Sequence, residues 1–433
     1  MTHRELPRTG DWKGTEGLRH VQEERLPEAM RLASRSAFNC ERLDAAGTVR
    51  TVSDLDRIAV IDKRDLRAAY PFGLLAVEKE RVATYHESSG TSGSPTSSFF
   101  TDDDWLDVVD RFTRNAIDLT PRDTLLVRTP YAMLTTGHQA HLAGRYCGAT
   151  VVPADNRSSV VTHARVVRLL RDLDVTVAWC LPTECLLWAA SARAAGLRPE
   201  RDFPALRGFV VAGEPLSEAR RSRISRIWGG VPVLQDYGST ETGSLAGECS
   251  AGRLHLWADR FVPQVYDPAT GRSAMSGTGE LVITTLYREA MPLVRYNLED
   301  RVRVTDEGCP CDLALPAIEV LGRNESSCVV SGVRISQQQM EEAVFSLPER
   351  FEVMFWRARG RDGFLELELE SGPDAAVELA ASLKSRIGVE ARVRSVAAGT
   401  IVSSEVLTKL PEFVKPRNLF DAAEDWDRAV TYW

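Results

Sequence analysis

Lysine is scarce in this 433-residue chain: among 53 basic residues only Lys13, Lys63, Lys79, Lys384, Lys409 and Lys415 are not arginine. None lies between Lys79 and Lys384. A coding bias toward arginine accounts for the shortage. It also gives each surviving lysine weight, because a compact ammonium on a flexible stem does what a planar guanidinium does not. An excess of positive charge is lacking too. A formal charge of −8 argues against a nucleic-acid binder that neutralises phosphates along a groove, while leaving room for a small anionic ligand. Long apolar runs are absent. The most apolar stretch, Val175 to Ala190, is interrupted by Pro182, Thr183 and Glu184, so no membrane span is expected. The opening MTHRELPRTGDWKG has no apolar core of the kind a signal peptide needs, and the expected location is the cytoplasm. There the eight cysteines are not a disulfide framework. Four of them sit in apolar or mixed segments and read as small buried hydrophobes; Cys249, Cys309 and Cys311 do not.

The remaining composition, 43% hydrophobic and 26% charged, is that of a globular protein, and the length calls for two or more domains. Helical spacing over residues 14–45 predicts N-terminal helices. From about Val82 short apolar runs (125–130, 150–154, 176–181, 208–213, 231–238) alternate with amphipathic stretches (160–173, 182–195, 217–228). That alternation predicts an α/β architecture with mostly parallel sheets. A β-rich part follows. A polar break at 322–327 precedes a shorter α+β pattern, which sets expected domains of 1–322 and 323–433. No internal repeat or low-complexity tract is visible.

The strongest local signal is Ser88-Ser89-Gly90-Thr91-Ser92-Gly93-Ser94-Pro95-Thr96. Small hydroxyl residues and glycines let backbone N–H groups approach phosphate oxygens, although the run is not a P-loop of the GxxxxGK[ST] kind. Alone it reads as a flexible turn. Downstream stand Val211-Ala212-Gly213-Glu214-Pro215, then Asp236-Tyr237-Gly238-Ser239-Thr240-Glu241, then Arg295-Tyr296-Asn297-Leu298-Glu299-Asp300. Lys63-Arg64-Asp65-Leu66 opens the series and Leu410-Pro411-Glu412-Phe413-Val414-Lys415 closes it. In this order and spacing, over nearly the whole chain, the sequence resembles the phenylacetate–CoA ligase family of the ANL superfamily of adenylate-forming enzymes.

The resemblance implies a large N-terminal adenylation domain and a small mobile C-terminal domain. It implies ATP-dependent activation of a carboxylic acid to an acyl-adenylate, then transfer to a thiol. Coenzyme A is the expected acceptor, with a carrier-protein thiol, an amine or a hydroxyl as alternatives, and a homodimer is compatible with it. A non-catalytic nucleotide-binding protein is the more distant alternative. A carboxylate attacking the α-phosphorus of ATP needs its repulsion offset by cations and fixed dipoles. Accordingly, the resemblance puts Thr91 and Ser92 by the departing phosphates, Tyr237 near adenine and Thr240 by the α-phosphate. Glu241 would hold Mg²⁺, Asp300 the ribose hydroxyls, and Lys415 would be the mobile catalytic lysine, with Lys409 its competitor. Ser89, Gly213, Glu214, Asp236, Gly238, Ser239 and Arg323 complete the implied nucleotide site. Tyr131, Thr136, Gly137, Ala212 and Gly213 would line the acyl pocket, whose aromatic and small residues suit a flat aryl or arylacetic acid. The segment Ser331-Gly332-Val333 would approach the site for the second half-reaction.

Cys249, His255, Cys309 and Cys311 form a four-ligand set suited to tetrahedral Zn²⁺, closed and therefore structural; some members of the family have a similar site. The chain departs from the family pattern at Ser94, where many relatives have lysine, at Arg323-Asn324-Glu325-Ser326, which lacks the usual Asp pair and leaves Asn324 or Glu325 as pivot, and at Pro416.

Overall fold

The short apolar runs become strands. A computed structural model describes residues 5–88, 95–322, 327–408 and 417–428, and its chain divides into two compact units. One comprises Met1–Thr120, Pro130–Gly148 and Gln235–Leu321; the other comprises Pro121–Thr129, Ala149–Leu234 and Gly322–Trp433. The proposed site residues Ser89, Thr91, Ser92, Arg323 and Lys415, with Lys409, Asn324 and Glu325, lie outside the described residues. Among the described residues no helix is long and apolar enough to cross a membrane.

In the second unit, Gly208–Val211, Val177–Cys180, Thr124–Val127 and Thr150–Pro153 lie side by side in that order, all parallel. Near-continuous Val, Leu, Phe and Trp runs suit strands covered on both faces, and Val177–Cys180 and Gly208–Val211 are buried throughout. Helices supply the crossovers. Thr162 and Ser217 cap His163–Asp172 and Glu218–Ile227, each accepting an N–H bond three residues on, and Pro182 opens Pro182–Ala194 where its missing N–H costs nothing. The same unit holds a hairpin, Ser327–Val330 with Val333–Ser336, turned by Ser331 and Gly332, both at positive φ. It also holds a four-stranded sheet ordered Ala391–Val396, Phe364–Glu370, Trp356–Arg361, Leu419–Phe420, and the helices Gln337–Phe345 and Pro373–Ile387. Trp188, Phe209, Trp228, Phe345 and Trp356 belong to one buried apolar cluster.

The first unit is where the β-rich stretch lies, and there pairing is antiparallel. Phe261–Asp267, Gly277–Thr285 and Tyr296–Thr305 pair in sequence, and Leu254–Leu256 pairs with Gly243–Glu248, which pairs with Val233–Ser239. The α/β expectation holds, with the four-strand parallel stretch in the second unit and largely antiparallel pairing in the first. Helices Gly14–Ala33, Ala37–Ala46, Asp102–Thr113 and Thr135–Tyr146 complete this unit. Trp257, Phe261 and Tyr296 anchor its core. Of the cysteines outside the Cys/His group, Cys180, Cys185 and Cys328 are buried as expected, whereas Cys147 is half-buried and Cys40 exposed.

Candidate active site and metal centre

Gly238 shows why the Asp236–Glu241 segment has its sequence. The strand Val233–Ser239 shifts register against Gly243–Glu248 between Tyr237 and Gly238. A Cβ on Gly238 would stand 2.1 Å from the Gly243 carbonyl oxygen, so this crossing admits only glycine. The turn that follows presents Thr240 and Glu241. Hydroxyls hold its backbone from beneath: Ser98 Oγ and Thr135 Oγ1 both donate to the Thr240 carbonyl, at 3.3 and 3.4 Å. Glu241 is 1% exposed and accepts a hydrogen bond from Thr96 Oγ1 at 2.9 Å. Burial opposes its ionisation, but the Lys63 ammonium and the Ser239 and Thr96 hydroxyls prevail and hold its carboxyl below the usual range. Glu241 is thus an ionised carboxylate on a hydroxyl-lined turn, a donor set that fits a hard divalent cation.

Along the same strand Tyr237 Oη donates to Asp300 Oδ2 at 2.7 Å. Asp300 stands in the strand Tyr296–Thr305, just after Glu299 at φ 61°; the Asn297 side chain accepts the Glu299 N–H and steadies that bend. The structure therefore brings Tyr237 and Asp300 together, and separately Glu241 with Thr96. Asp236, on the opposite face of the strand from Tyr237, is 2% exposed and accepts from Ser244 Oγ at 2.7 Å. Burial pushes its carboxyl up to about 7 against the pull of Ser244 and Arg111.

Thr136 and Gly137 sit in the first turn of helix Thr135–Tyr146, and Tyr131 in the segment that leads into it. A Cβ on Gly137 would lie 2.9 Å from the Tyr131 ring, so glycine is what lets the ring rest there. His138 Nε2 donates to the Tyr131 carbonyl at 2.9 Å, and Tyr131 Oη lies 3.2 Å from His141 Nδ1. Tyr131 and Thr136 are half-buried.

In the other unit, Ala212 and Gly213 follow the C-terminal end of strand Gly208–Val211, the end of a parallel sheet where ligands of α/β proteins bind. Gly213 is exposed with φ 84°. Glu214 is turned inward: Thr183 Oγ1 and Arg220 Nη2 both donate to its Oε2 at 2.7 Å. Sequence reasoning missed this use of Glu214, and it missed Thr96 as a hydrogen-bond donor to Glu241 and Lys63 as a charge that lowers its carboxyl. The rarity of lysine was the signal for Lys63.

Cys249, His255, Cys309 and Cys311 converge, their ligand atoms all within 4.8 Å of one another. Cys249 Sγ and Cys309 Sγ are 3.7 Å apart, and Cys311 Sγ is 3.4 Å from His255 Nε2. A tetrahedral zinc with bonds of about 2.3 Å to sulfur sets S···S near ~3.8 Å, so the set fits the ion. His255 Nδ1 donates to the Leu315 carbonyl at 2.8 Å, which fixes the tautomer that leaves Nε2 as a lone-pair donor.

The sequence profile described as AMP-binding enzyme matches residues 26–285, more than half the chain. The chain belongs to the AMP-binding enzyme family. It is 35% identical over 347 residues to the phenylacetate-coenzyme A ligase of Thermus thermophilus, covering 77% of this chain and 76% of that one. It is 32% identical over 378 residues to the phenylacetate-coenzyme A ligase of Pseudomonas putida, covering 82% and 83%. This AMP-binding enzyme is therefore a phenylacetate–CoA ligase-like member of the adenylate-forming superfamily, with the chemistry of an acid–thiol ligase. Among solved structures, 2-hydroxyisobutyryl-CoA ligase in the postadenylation state with 2-HIB-AMP has the same fold. Its TM-score is 0.84 at 20% identity, over 98% of this chain and 96% of that one.

Proposed function

We propose that this chain activates an aryl or arylacetic acid with ATP and passes the acyl group to coenzyme A. A carboxylate oxygen of the acid attacks the α-phosphorus, the bond from that phosphorus to the bridging oxygen breaks, and pyrophosphate leaves. The thiol sulfur then attacks the acyl carbon and AMP departs. The observation that carries the reading is the segment 237–241, which presents Glu241, ionised and hydroxyl-lined, and holds Asp300 through the Tyr237 hydroxyl. Glu241 would hold Mg²⁺, which would neutralise phosphate charge when bound. Asp300 would accept the ribose hydroxyls, Tyr237 would face the adenine and Thr240 the α-phosphate. Lys415 would supply the cation at the forming bond.

Residues 323–433 act as a moving part that exchanges Lys415 for the Ser331-Gly332 turn between half-reactions, so one site carries two sets of groups. The Cys249, His255, Cys309 and Cys311 set holds a structural zinc, and the enzyme works in the cytoplasm. Phenylacetate and benzoate, each with ATP, Mg²⁺ and coenzyme A, test the acceptor. Formation of the acyl-CoA thioester, followed by mass, is expected. An adenylate that accumulates and is not consumed by coenzyme A would instead point to a carrier-protein thiol or to an amine or hydroxyl.

A further inference from the structure

Helix Glu218–Ile227 carries arginines three residues apart at 220, 223 and 226. On a helix that spacing puts them along one face. The structure buries two of them. Arg220 and Arg223 are each 3% exposed, and all three grip the segment around helix Gln337–Phe345. Arg220 Nη1 donates to Glu341 Oε1 at 2.9 Å. Arg223 donates to the Phe345 and Leu347 carbonyls, the negative end of that helix. Arg226 pairs with Glu349, and Glu342 in return accepts the Ala219 N–H at 3.1 Å, at the positive end of the arginine helix.

Arg220 also faces the other way. Its Nη2 donates at 2.7 Å to both Glu214 Oε2 and Thr183 Oγ1, and its Nη1 at 3.0 Å to the Pro215 carbonyl. One guanidinium thus serves two buried carboxylates: Glu214, beside the exposed Gly213 turn, and Glu341, on the helix that follows the Ser331-Gly332 hairpin. Gln337 Nε2 gives Glu341 one further donor at 3.1 Å. Burial raises both carboxyls, Glu341 to about 7, as expected where two acids share a single buried cation.

We propose that Arg220 is a positioning residue that couples nucleotide binding at the Gly213 turn to the docking of helix Gln337–Phe345. With Glu341 in place, Arg220 divides its charge between the two acids. With Glu341 gone, the whole guanidinium turns to Glu214 and draws the turn inward. Each state of the helix therefore sets a different environment for Glu214, and a ligand that prefers one position of the turn must bias the helix by the same factor. The inference rests on the adenylate-forming reading for the identity of the ligand.

The test combines calorimetry of ATP with Mg²⁺ and hydrogen exchange across residues 337–347, on the full chain. In the unmodified protein ATP should slow exchange there at least threefold. In Glu341→Gln, which keeps the side chain's size, ATP should still bind while the exchange response disappears. Glu214→Gln should abolish the response from the other end, so a folding defect in one variant does not decide the matter. A purely structural role for Arg220 would leave the ATP-dependent difference intact in both. ATP binding with no exchange response in the unmodified protein, or an undiminished response in both variants, overturns the coupling alone. Absence of ATP binding in the unmodified protein overturns the nucleotide-site reading and the coupling with it.

Discussion

Asp236→Asn should make the chain more stable at pH 8 and change little at pH 4.5. Asp236 is 2% exposed, and among the described residues Ser244 Oγ is its side-chain hydrogen-bond donor. The nearby cation, Arg111, is already engaged: it pairs with Asp107 at 3.0 Å and donates to the Thr242 carbonyl at 3.1 Å. Burial therefore dominates and carries the carboxyl from 3.8 to about 7. A carboxyl raised on folding binds its proton more tightly in the native state. Its stabilising contribution is complete below the unfolded value and is lost as pH rises through the folded one. At 1.36 kcal/mol per pH unit, the gap of roughly three units corresponds to at most ~4 kcal/mol. Asparagine matches the neutral acid in shape and still accepts from Ser244. The stability difference between variant and parent, measured by denaturant unfolding from pH 4.5 to 8, should grow by a few kcal/mol toward alkaline pH. Glu341 titrates in the same window, but both proteins carry it and it cancels in the difference. A difference flat to within ~0.5 kcal/mol, the usual error of additivity, would refute the reasoning and mean that water or another cation reaches Asp236.

Three further outcomes are expected. Protein purified without added metal should carry one zinc per chain by elemental analysis and lose it in a Cys309→Ala/Cys311→Ala double variant, with lowered stability; no zinc, or stoichiometric zinc in the double variant, contradicts the metal centre. Gly247→Ala should cost about 1–3 kcal/mol of stability, because its Cβ would stand 2.5 Å from Cζ2 of the buried Trp257; an unchanged denaturation midpoint refutes the packing argument. Lys415→Ala should cripple pyrophosphate release yet spare acyl transfer from supplied acyl-adenylate, with Lys409→Ala nearly silent and Gly332→Leu reversing the pattern, since Gly332 has φ 80°; equal damage to both steps by Gly332→Leu would remove the support for alternation.

Much of the site is legible in the sequence because its chemistry is local. Tyr237, Gly238, Thr240 and Glu241 are adjacent residues on one strand and turn, and the steric demand at Gly238 explains why the pattern is tight. The parallel strands are legible for the same reason: runs such as Val177–Cys180 are apolar on both faces. Long-range partners are not. Nothing in the local sequence pairs Thr96 or Lys63 with Glu241, and sequence cannot distinguish the buried Arg220 from a solvated helix arginine. Glu214 reads as a nucleotide contact because it follows Gly213, and nothing local in the sequence shows that Arg220 and Thr183 donate to its Oε2. The zinc set falls between these cases. Its ligands are recognisable by type, but only folding brings Cys249 and His255 to Cys309 and Cys311.

The most direct test of the central claim is acid-dependent pyrophosphate release, measured with ATP and Mg²⁺ across a panel of carboxylic acids without any acceptor and then with coenzyme A. The account predicts release that requires an aryl or arylacetic acid, stops near one equivalent per enzyme when no acceptor is present, and becomes continuous with coenzyme A. Glu241→Ala should lower it by at least about a hundredfold, on the scale of losing one preorganised electrostatic contact. No acid-dependent release from the unmodified protein across the panel would contradict the account and leave a protein that binds nucleotide without using it.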